Sequence, residues 1–201
     1  MKLQFDANLT YQQEAISSVI DLFAGQVSFG AGLIQDFTSK DATLWSDLGV
    51  CNGTLPADDE LLKNLHKVQM RNQIPKSLTL IGTAGHYAFP NFSVEMETGT
   101  GKTYVYLRTI FELNKKYGYK KFIIVVPSVA IREGVTSSIK MMRDHFKALF
   151  DNVAFDDFVY KSKDLSRVRQ FAVGNEVQIM VINIQAFQKD AGEAVDYNDL
   201  T

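Results

Sequence analysis

The stretch METGTGKT, residues 96–103, lies between an apolar segment and a segment with helical periodicity. Gly99 and Gly101 carry no Cβ, so the backbone can pass close to an anion at both positions. Successive backbone N–H groups of such a loop, together with the N-terminus of the next helix, bind phosphate. The stretch therefore matches the phosphate-loop pattern G-x-x-x-x-G-K-[ST], with Met96 in place of its first glycine.

The last two residues of the stretch have side chains suited to a nucleoside triphosphate. Lys102 can reach the β- and γ-phosphates, and the Thr103 hydroxyl can ligate Mg²⁺. The alternative is a strand-to-helix turn with a solvated Lys102, but a cation at a helix N-terminus is unfavourable unless an anion compensates for it. We therefore predict Lys102 and Thr103 as catalytic residues, Thr103 also as the metal ligand. The predicted nucleotide-binding residues of the loop are Thr98, Gly99, Thr100, Gly101, Lys102 and Thr103.

Strand patterns and helix patterns alternate around the loop. Continuous apolar runs at 122–126 and 177–184 are typical of strands buried on both faces of a parallel sheet. We predict the 122–126 strand to be central. The alternation indicates an α/β fold with a mostly parallel sheet flanked by helices. The predicted helices span 11–24, 102–115, 131–149 and 165–171, and the predicted strands span 92–96, 122–126, 156–160 and 177–184.

Punctuation by glycine and proline divides the chain into three parts. Residues 1–26 are predicted to contain the first helix, and residues 92–201 the main α/β domain. Residues 27–91 hold three of the four prolines and one helical pattern at 58–72. We interpret this middle part as an irregular insertion.

Composition sets broad limits on the class of protein. The chain has 201 residues, 46% of them hydrophobic, which suffices for a packed core. Its formal charge of −2 requires any nucleic-acid contact to come from a local patch. Cys51 is the only cysteine, which excludes an internal disulfide and fits a reducing compartment. The sequence shows neither a signal peptide nor a membrane-length apolar run, so we expect a cytoplasmic protein with no membrane association.

Together with Gln12 in LTYQQEAI, the form METGTGKT resembles the phosphate loop of superfamily 2 helicases and translocases. Three longer stretches are similar to the Res subunit of type III restriction enzymes, and the resemblance covers essentially the whole chain. It implies a RecA-like P-loop NTPase domain that uses ATP and Mg²⁺. The three stretches are NFSVEMETGTGKTYVYLRTIFELN at 91–114, KFIIVVPSVAIREGV at 121–135 and VQIMVINIQAF at 177–187.

The resemblance also implies roles for individual residues. Gln12 corresponds to the glutamine that reads adenine in these helicases, since an amide both donates and accepts hydrogen bonds. The alternative is a solvated first-turn glutamine. Phe5 is either a stacking partner of the base or a core anchor.

The segment after the 122–126 strand corresponds to a motif that contacts the nucleic-acid backbone. We predict from it that Pro127, Ser128 and Arg132 bind DNA, together with Gln185 after the last strand. The alternatives are that Ser128 merely caps the following helix and that Arg132 is a surface charge.

The resemblance implies a longer parent protein. It would translocate along double-stranded DNA with ATP and cut it together with a modification methyltransferase subunit. We expect the present chain to be truncated before the DEAH-like strand that supplies the hydrolytic carboxylates, and hence to hydrolyse little ATP alone. Two other functions stay open: a superfamily 2 helicase without a nuclease, and a nucleotide-gated DNA-binding module.

Overall fold

The computed structural model describes residues 6–26, 51–83 and 89–187, and these form two compact units. The first unit comprises the described residues of 6–26, 53–83 and 89–119. The second comprises residues 51–52 and 120–187. The predicted insertion at 27–91 and the predicted end of the main domain lie partly outside the described residues, as does Phe5.

Three helices form the first unit: α1 (Thr10–Leu22), α2 (Asp58–Arg71) and α3 (Lys102–Tyr117). Helix α3 buries residues over most of its surface, so it is the centre of this unit. The Tyr117 hydroxyl donates to the Ile20 carbonyl of α1 at 3.0 Å in the interior. The buried Asn64 amide of α2 donates to the carbonyls of Leu22 and Ala24 at 3.1 and 2.8 Å. The Leu22 carbonyl ends α1 and the Ala24 carbonyl lies just beyond it, so Asn64 bonds both and fixes α2 against the end of α1.

The second unit is a parallel α/β layer. Its elements are β1 (Lys121–Val126), α4 (Val129–Leu149), β2 (Phe155–Val159), α5 (Leu165–Val173) and β3 (Val177–Asn183). The strand order is β1-β3-β2, with both pairs parallel. Strand β3 is buried along nearly its whole length, and α4 packs on the sheet with a stripe of apolar side chains at helical spacing. That stripe consists of Val135, Ile139, Met142 and Phe146.

The predicted elements are confirmed to within two residues at each end, except in two respects. The 122–126 strand is not central: in the described sheet β1 is an edge strand, and Ile123 and Val125 are 53% and 50% exposed. The apolar runs of β1 and β3 are equally continuous, so the pattern could not decide which of them the crossovers place in the middle. The predicted strand at 92–96 is also wrong, because that segment pairs with no other strand of the described residues. A strand forms only where a neighbour satisfies its backbone groups.

The open edge of β1 is bonded by a side chain from far along the sequence. Asn52 accepts from the backbone N–H groups of Lys120 and Lys121 at 2.8 and 2.9 Å. Its amide nitrogen donates to the Lys121 carbonyl at 2.8 Å. These three hydrogen bonds replace part of what a neighbouring strand would provide, which is one way to protect an edge strand.

Lys121 lies at the start of β1 and closes the C-terminal end of α5. Its ammonium donates to the carbonyls of Phe171 and Gly174 and lies 5.4 Å from the centre of the Phe171 ring. Burial, assisted by the charge of Lys120 and opposed by Glu176, lowers the pKa of Lys121 to about 8.

We expect this lysine to give the protein a measurable pH dependence of stability. Between about pH 8 and the ordinary lysine value of 10.5, the unfolded chain binds more protons at Lys121 than the folded chain. The contribution of Lys121 to the free energy of unfolding therefore rises with pH across this window and is lost as pH falls through 8. Urea denaturation from pH 7 to 10.5 measures it. The difference between wild type and Lys121→Met should change over that range, and more than the difference for Lys115→Met, which removes an exposed lysine of α3.

Candidate functional site

The loop before α3 has the geometry of an anion site. Gly99 and Gly101 adopt φ of 83° and 84°, the left-handed region in which residues with a Cβ are strained. Gly101 is the N-cap of α3, and because it has no side chain it makes no capping hydrogen bond to the first turn. The positive end of a 16-residue helix thus opens onto the loop with donors available to an anion.

Lys102 and Thr100 converge on one carbonyl oxygen of the same loop. The Lys102 ammonium donates to the Glu97 carbonyl at 2.6 Å, and the Thr100 hydroxyl donates to the same oxygen at 2.7 Å. The lysine is exposed to solvent. A neutral carbonyl is a weaker partner for an ammonium than a phosphate oxygen, so an incoming anion can displace it.

Gln12 is buried against the loop. Its side chain is 6% exposed, and its amide nitrogen donates to the Thr100 carbonyl at 2.9 Å. The solvated alternative for Gln12 is therefore wrong. The structure brings Gln12 to the phosphate loop across 88 positions of sequence, and its adenine contact stays a prediction.

Two residues of the predicted site lie at its margins. Thr103 is on the first turn of α3, one turn before Tyr106. Burial raises the pKa of Tyr106, and the neighbouring Thr103 hydroxyl opposes the rise. Thr98 is exposed before the first glycine. Within the described residues no group of three His, Cys, Asp or Glu side chains is placed to hold a metal ion, and the metal role of Thr103 stays a prediction.

The two glycines are expected to differ in how they tolerate a methyl group. A Cβ at Gly99 would meet no atom within 4 Å, whereas a Cβ at Gly101 would lie 2.6 Å from the Gln12 amide nitrogen. Both alanine variants incur the left-handed strain, but Gly101→Ala also displaces a buried hydrogen bond. We expect Gly101→Ala to lower the free energy of unfolding by about 1 kcal/mol more than Gly99→Ala. Urea denaturation tests this, and equal losses would contradict it.

A cleft of about 500 Å³ opens beside the loop within the first unit. Its apolar walls come from α1, the end of α2 and the segment before the loop. Of the described residues, three carboxylates line it, and no lysine or arginine does. The lining residues that belong to the loop stretch are Met96, Glu97 and Thr100, and the carboxylates are Glu14, Glu95 and Glu97.

The four predicted DNA-binding residues lie together at the carboxyl edge of β1 and β3. Val126 pairs with Asn183 at the end of both strands. Gln185 then donates to the Pro127 carbonyl at 2.7 Å. Ser128 is the N-cap of α4, where its hydroxyl accepts from the Ile131 N–H at 3.3 Å. The capping alternative for Ser128 is thus confirmed as a contact, and it leaves the DNA role of the residue a prediction.

Arg132 occupies the first turn of α4. Its guanidinium donates to the Glu133 carboxylate at 2.9 and 3.2 Å, and the Arg132 side chain is mostly covered. The pairing with Glu133 had no signal in the sequence, because neighbouring helix positions do not normally face each other. It means that a phosphate must compete with a carboxylate for Arg132.

A parallel α/β layer and a glycine-rich loop before the N-terminus of a helix define a RecA-like P-loop domain. Comparison with known proteins gives the family. The family model "Type III restriction enzyme, res subunit" matches residues 8–200, so the chain belongs to the family of type III restriction enzyme Res subunits.

Three similar proteins carry the same description. The chain is 32% identical over 145 residues to the EcoPI Res subunit of Escherichia phage P1, and 34% identical over 170 residues to the StyLTI Res subunit of Salmonella typhimurium. It is 40% identical over 94 residues to the EcoP15I Res subunit of Escherichia coli. The matches cover 71%, 69% and 45% of this chain but only 14%, 17% and 9% of those relatives. The chain thus spans less than a fifth of their length. None of the helices that the structure describes has both the length and the apolar character needed to cross a membrane.

Proposed function

We propose that this chain is the ATP-binding part of the motor domain of a type III restriction enzyme Res subunit. The observation that carries the proposal is the uncapped N-terminus of α3, approached by two left-handed glycines and followed at once by Lys102 and Thr103. In this proposal the backbone of 98–103 binds the phosphates and Lys102 neutralises them. Thr103 holds Mg²⁺, and Gln12 contacts adenine. We also propose the division of the chain into a first-helix segment at 1–26, an insertion at 27–91 and the main α/β domain at 92–201.

The activity of the longer protein follows from family membership and is proposed here for the parent of this chain. It would translocate along double-stranded DNA with ATP and cut it with a modification methyltransferase partner in the cytoplasm. Phosphoryl transfer to water needs a residue that orients the water, which in the helicases that this chain resembles is the glutamate of the DEAH-like motif. None of the three described strands ends in an Asp-Glu pair: β1 ends at Val126, β2 at Val159 and β3 at Asn183. We therefore propose that the chain alone binds ATP with little turnover.

Titration of the chain with a fluorescent ATP analogue, with and without Mg²⁺, tests the proposal. Saturable binding that is displaced by unlabelled ATP and strengthened by Mg²⁺ is the expected result, with phosphate release near background. Absence of saturable binding would reject nucleotide binding. Rapid Mg²⁺-dependent phosphate release from this chain would reject the claim that its hydrolytic residues lie elsewhere.

The proposed DNA contact makes a separate prediction about salt. Arg132→Ala should weaken binding of a labelled duplex and reduce by about one the slope of log affinity against log salt concentration, because one phosphate contact is lost. Lys140→Ala is the control, since it removes an exposed charge from the same helix α4. Fluorescence anisotropy at salt concentrations from about 50 to about 200 mM measures both slopes. Equal slopes for the two variants would exclude Arg132 from the contact.

A further inference from the structure

We infer that Gln12 is a positioning residue of the phosphate loop, so that phosphate binding depends on Gln12 even when the ligand has no base. The inference rests on the proposed function and assigns Gln12 a role apart from adenine recognition. The inference follows from the orientation of the Gln12 amide, whose nitrogen donates to the Thr100 carbonyl at 2.9 Å.

The hydrogen bond fixes more than one oxygen atom. In a trans peptide the C=O and the following N–H point in opposite directions. Holding the Thr100 carbonyl towards α1 therefore turns the N–H of Gly101 away from Gln12. Gly101 precedes the first residue of α3, so this N–H belongs to the set that an anion at the helix N-terminus would use.

The anchor itself is firmly held. Arg108 of α3 donates to the Ala7 carbonyl at 2.6 Å, just before α1 begins. Tyr117 of α3 donates to Ile20 near the other end of α1. Because α3 begins at Lys102, directly after the loop, hydrogen bonds near both ends of α1 connect α1 to the helix that follows the loop. Gln12 on α1 therefore keeps the loop in a fixed position relative to α3.

Close packing supports the same role. A Cβ at residue 101 would lie 2.6 Å from the Gln12 amide nitrogen, which is closer than two such atoms can approach. A glycine is therefore needed at 101 for the contact with Gln12 as well as for φ of 84°. A loop that is held in its binding conformation loses less entropy when phosphate binds, and so binds it more tightly.

The test uses inorganic tripolyphosphate, which has phosphates and no base. Gln12→Met keeps the size of the side chain and removes the donor. It should weaken tripolyphosphate by about three- to tenfold, the usual effect of one hydrogen bond, and ATP by at least that factor, because ATP also loses the proposed adenine contact. Gln13→Met is the matched control, because the Gln13 amide donates to Ala7 and not to the loop. Gln13→Met should change the tripolyphosphate affinity by less than about twofold, because no hydrogen bond to the loop is lost.

Calorimetric titration of wild type and both variants distinguishes the outcomes. Weaker ATP with unchanged tripolyphosphate would overturn the inference and leave Gln12 as a base reader only. Failure of the wild type to bind either ligand would instead reject the proposed function.

Gly101→Ala provides a second variant if Gln12→Met unfolds. It retains Gln12 and displaces only its amide, so we expect weaker tripolyphosphate binding than for Gly99→Ala. Faster hydrogen exchange at the amides of 99–102 in Gly101→Ala than in Gly99→Ala would support the anchor. Equal exchange and equal affinity in the two glycine variants would contradict it.

Discussion

Replacing Lys102 by alanine is expected to weaken binding of ATP and of tripolyphosphate to this chain by about tenfold to a hundredfold. The ammonium is the one cation in the stretch 96–103, and a charge-assisted hydrogen bond contributes about 1.5–3 kcal/mol. The loss should be similar for both ligands, because the lysine acts on phosphate. Displacement titration against a fluorescent ATP analogue measures the two affinities.

Two features of Lys102 make this experiment clean. The side chain is exposed and bonds only a carbonyl of its own loop in the described structure, so its removal should leave the midpoint of thermal unfolding nearly unchanged. Lys115→Ala removes an exposed lysine from the other end of the same helix and should leave both affinities unchanged. If Lys115→Ala weakened binding as much as Lys102→Ala, the effect would be one of overall charge and the assigned site would be wrong.

Of the substitutions proposed here, Arg143→Met is expected to lower the free energy of unfolding the most, by about 2–3 kcal/mol. Arg143 of α4 pairs with Asp157 of β2, whose side chain is 8% exposed. The guanidinium also donates to the Phe155 carbonyl at 3.2 Å and lies 4.2 Å from the centre of the Phe155 ring. Burial raises the pKa of Asp157, and Arg143 opposes that rise. Without the arginine a buried carboxylate is left unpaired, which costs more than the pair contributed.

Urea denaturation at two pH values checks this account. In Arg143→Met the pKa of Asp157 should rise further, so the folded chain would retain a proton that the unfolded chain loses. The stability of the variant should then fall as pH increases from 4 to 7, relative to wild type. Arg167→Met is the control: Arg167 pairs with Asp156 on the same strand at 3.2 Å, but both side chains are about one-third exposed. We expect a loss of about 1 kcal/mol or less there, and an equal loss in both variants would contradict the role of burial.

Local sequence predicted the helices and strands well where the pattern of apolar residues fits only one kind of secondary structure. The apolar positions of α4 recur every three or four residues, and that spacing fits no other structure. The glycines of the loop likewise permit the left-handed backbone that the loop adopts. The prediction of a strand at 92–96 was wrong because a strand needs a second segment to pair with. The local sequence of 92–96 does not show whether such a partner lies beside it.

The site shows the same division. Lys102 and Thr103 are predicted from the motif alone, since their proposed role depends on residues next to them. The partner of Gln12 could not be predicted: a glutamine at that position is compatible with solvent, a base or a backbone carbonyl, and only the packing of α1 on α3 selects the Thr100 carbonyl. Arg108 and Asn52 were missed for the same reason, because each bonds a backbone group far away in the chain.

The sequence by itself determined the class of the domain, the phosphate loop and the positions of its helices, because these depend on contacts within a few residues. Only the tertiary structure decided that β3 takes the middle of the described sheet, that Asn52 bonds the open edge of β1 and that Gln12 bonds the Thr100 carbonyl. Each of these requires that two distant segments meet, and which segments meet is set by the packing of whole helices and strands.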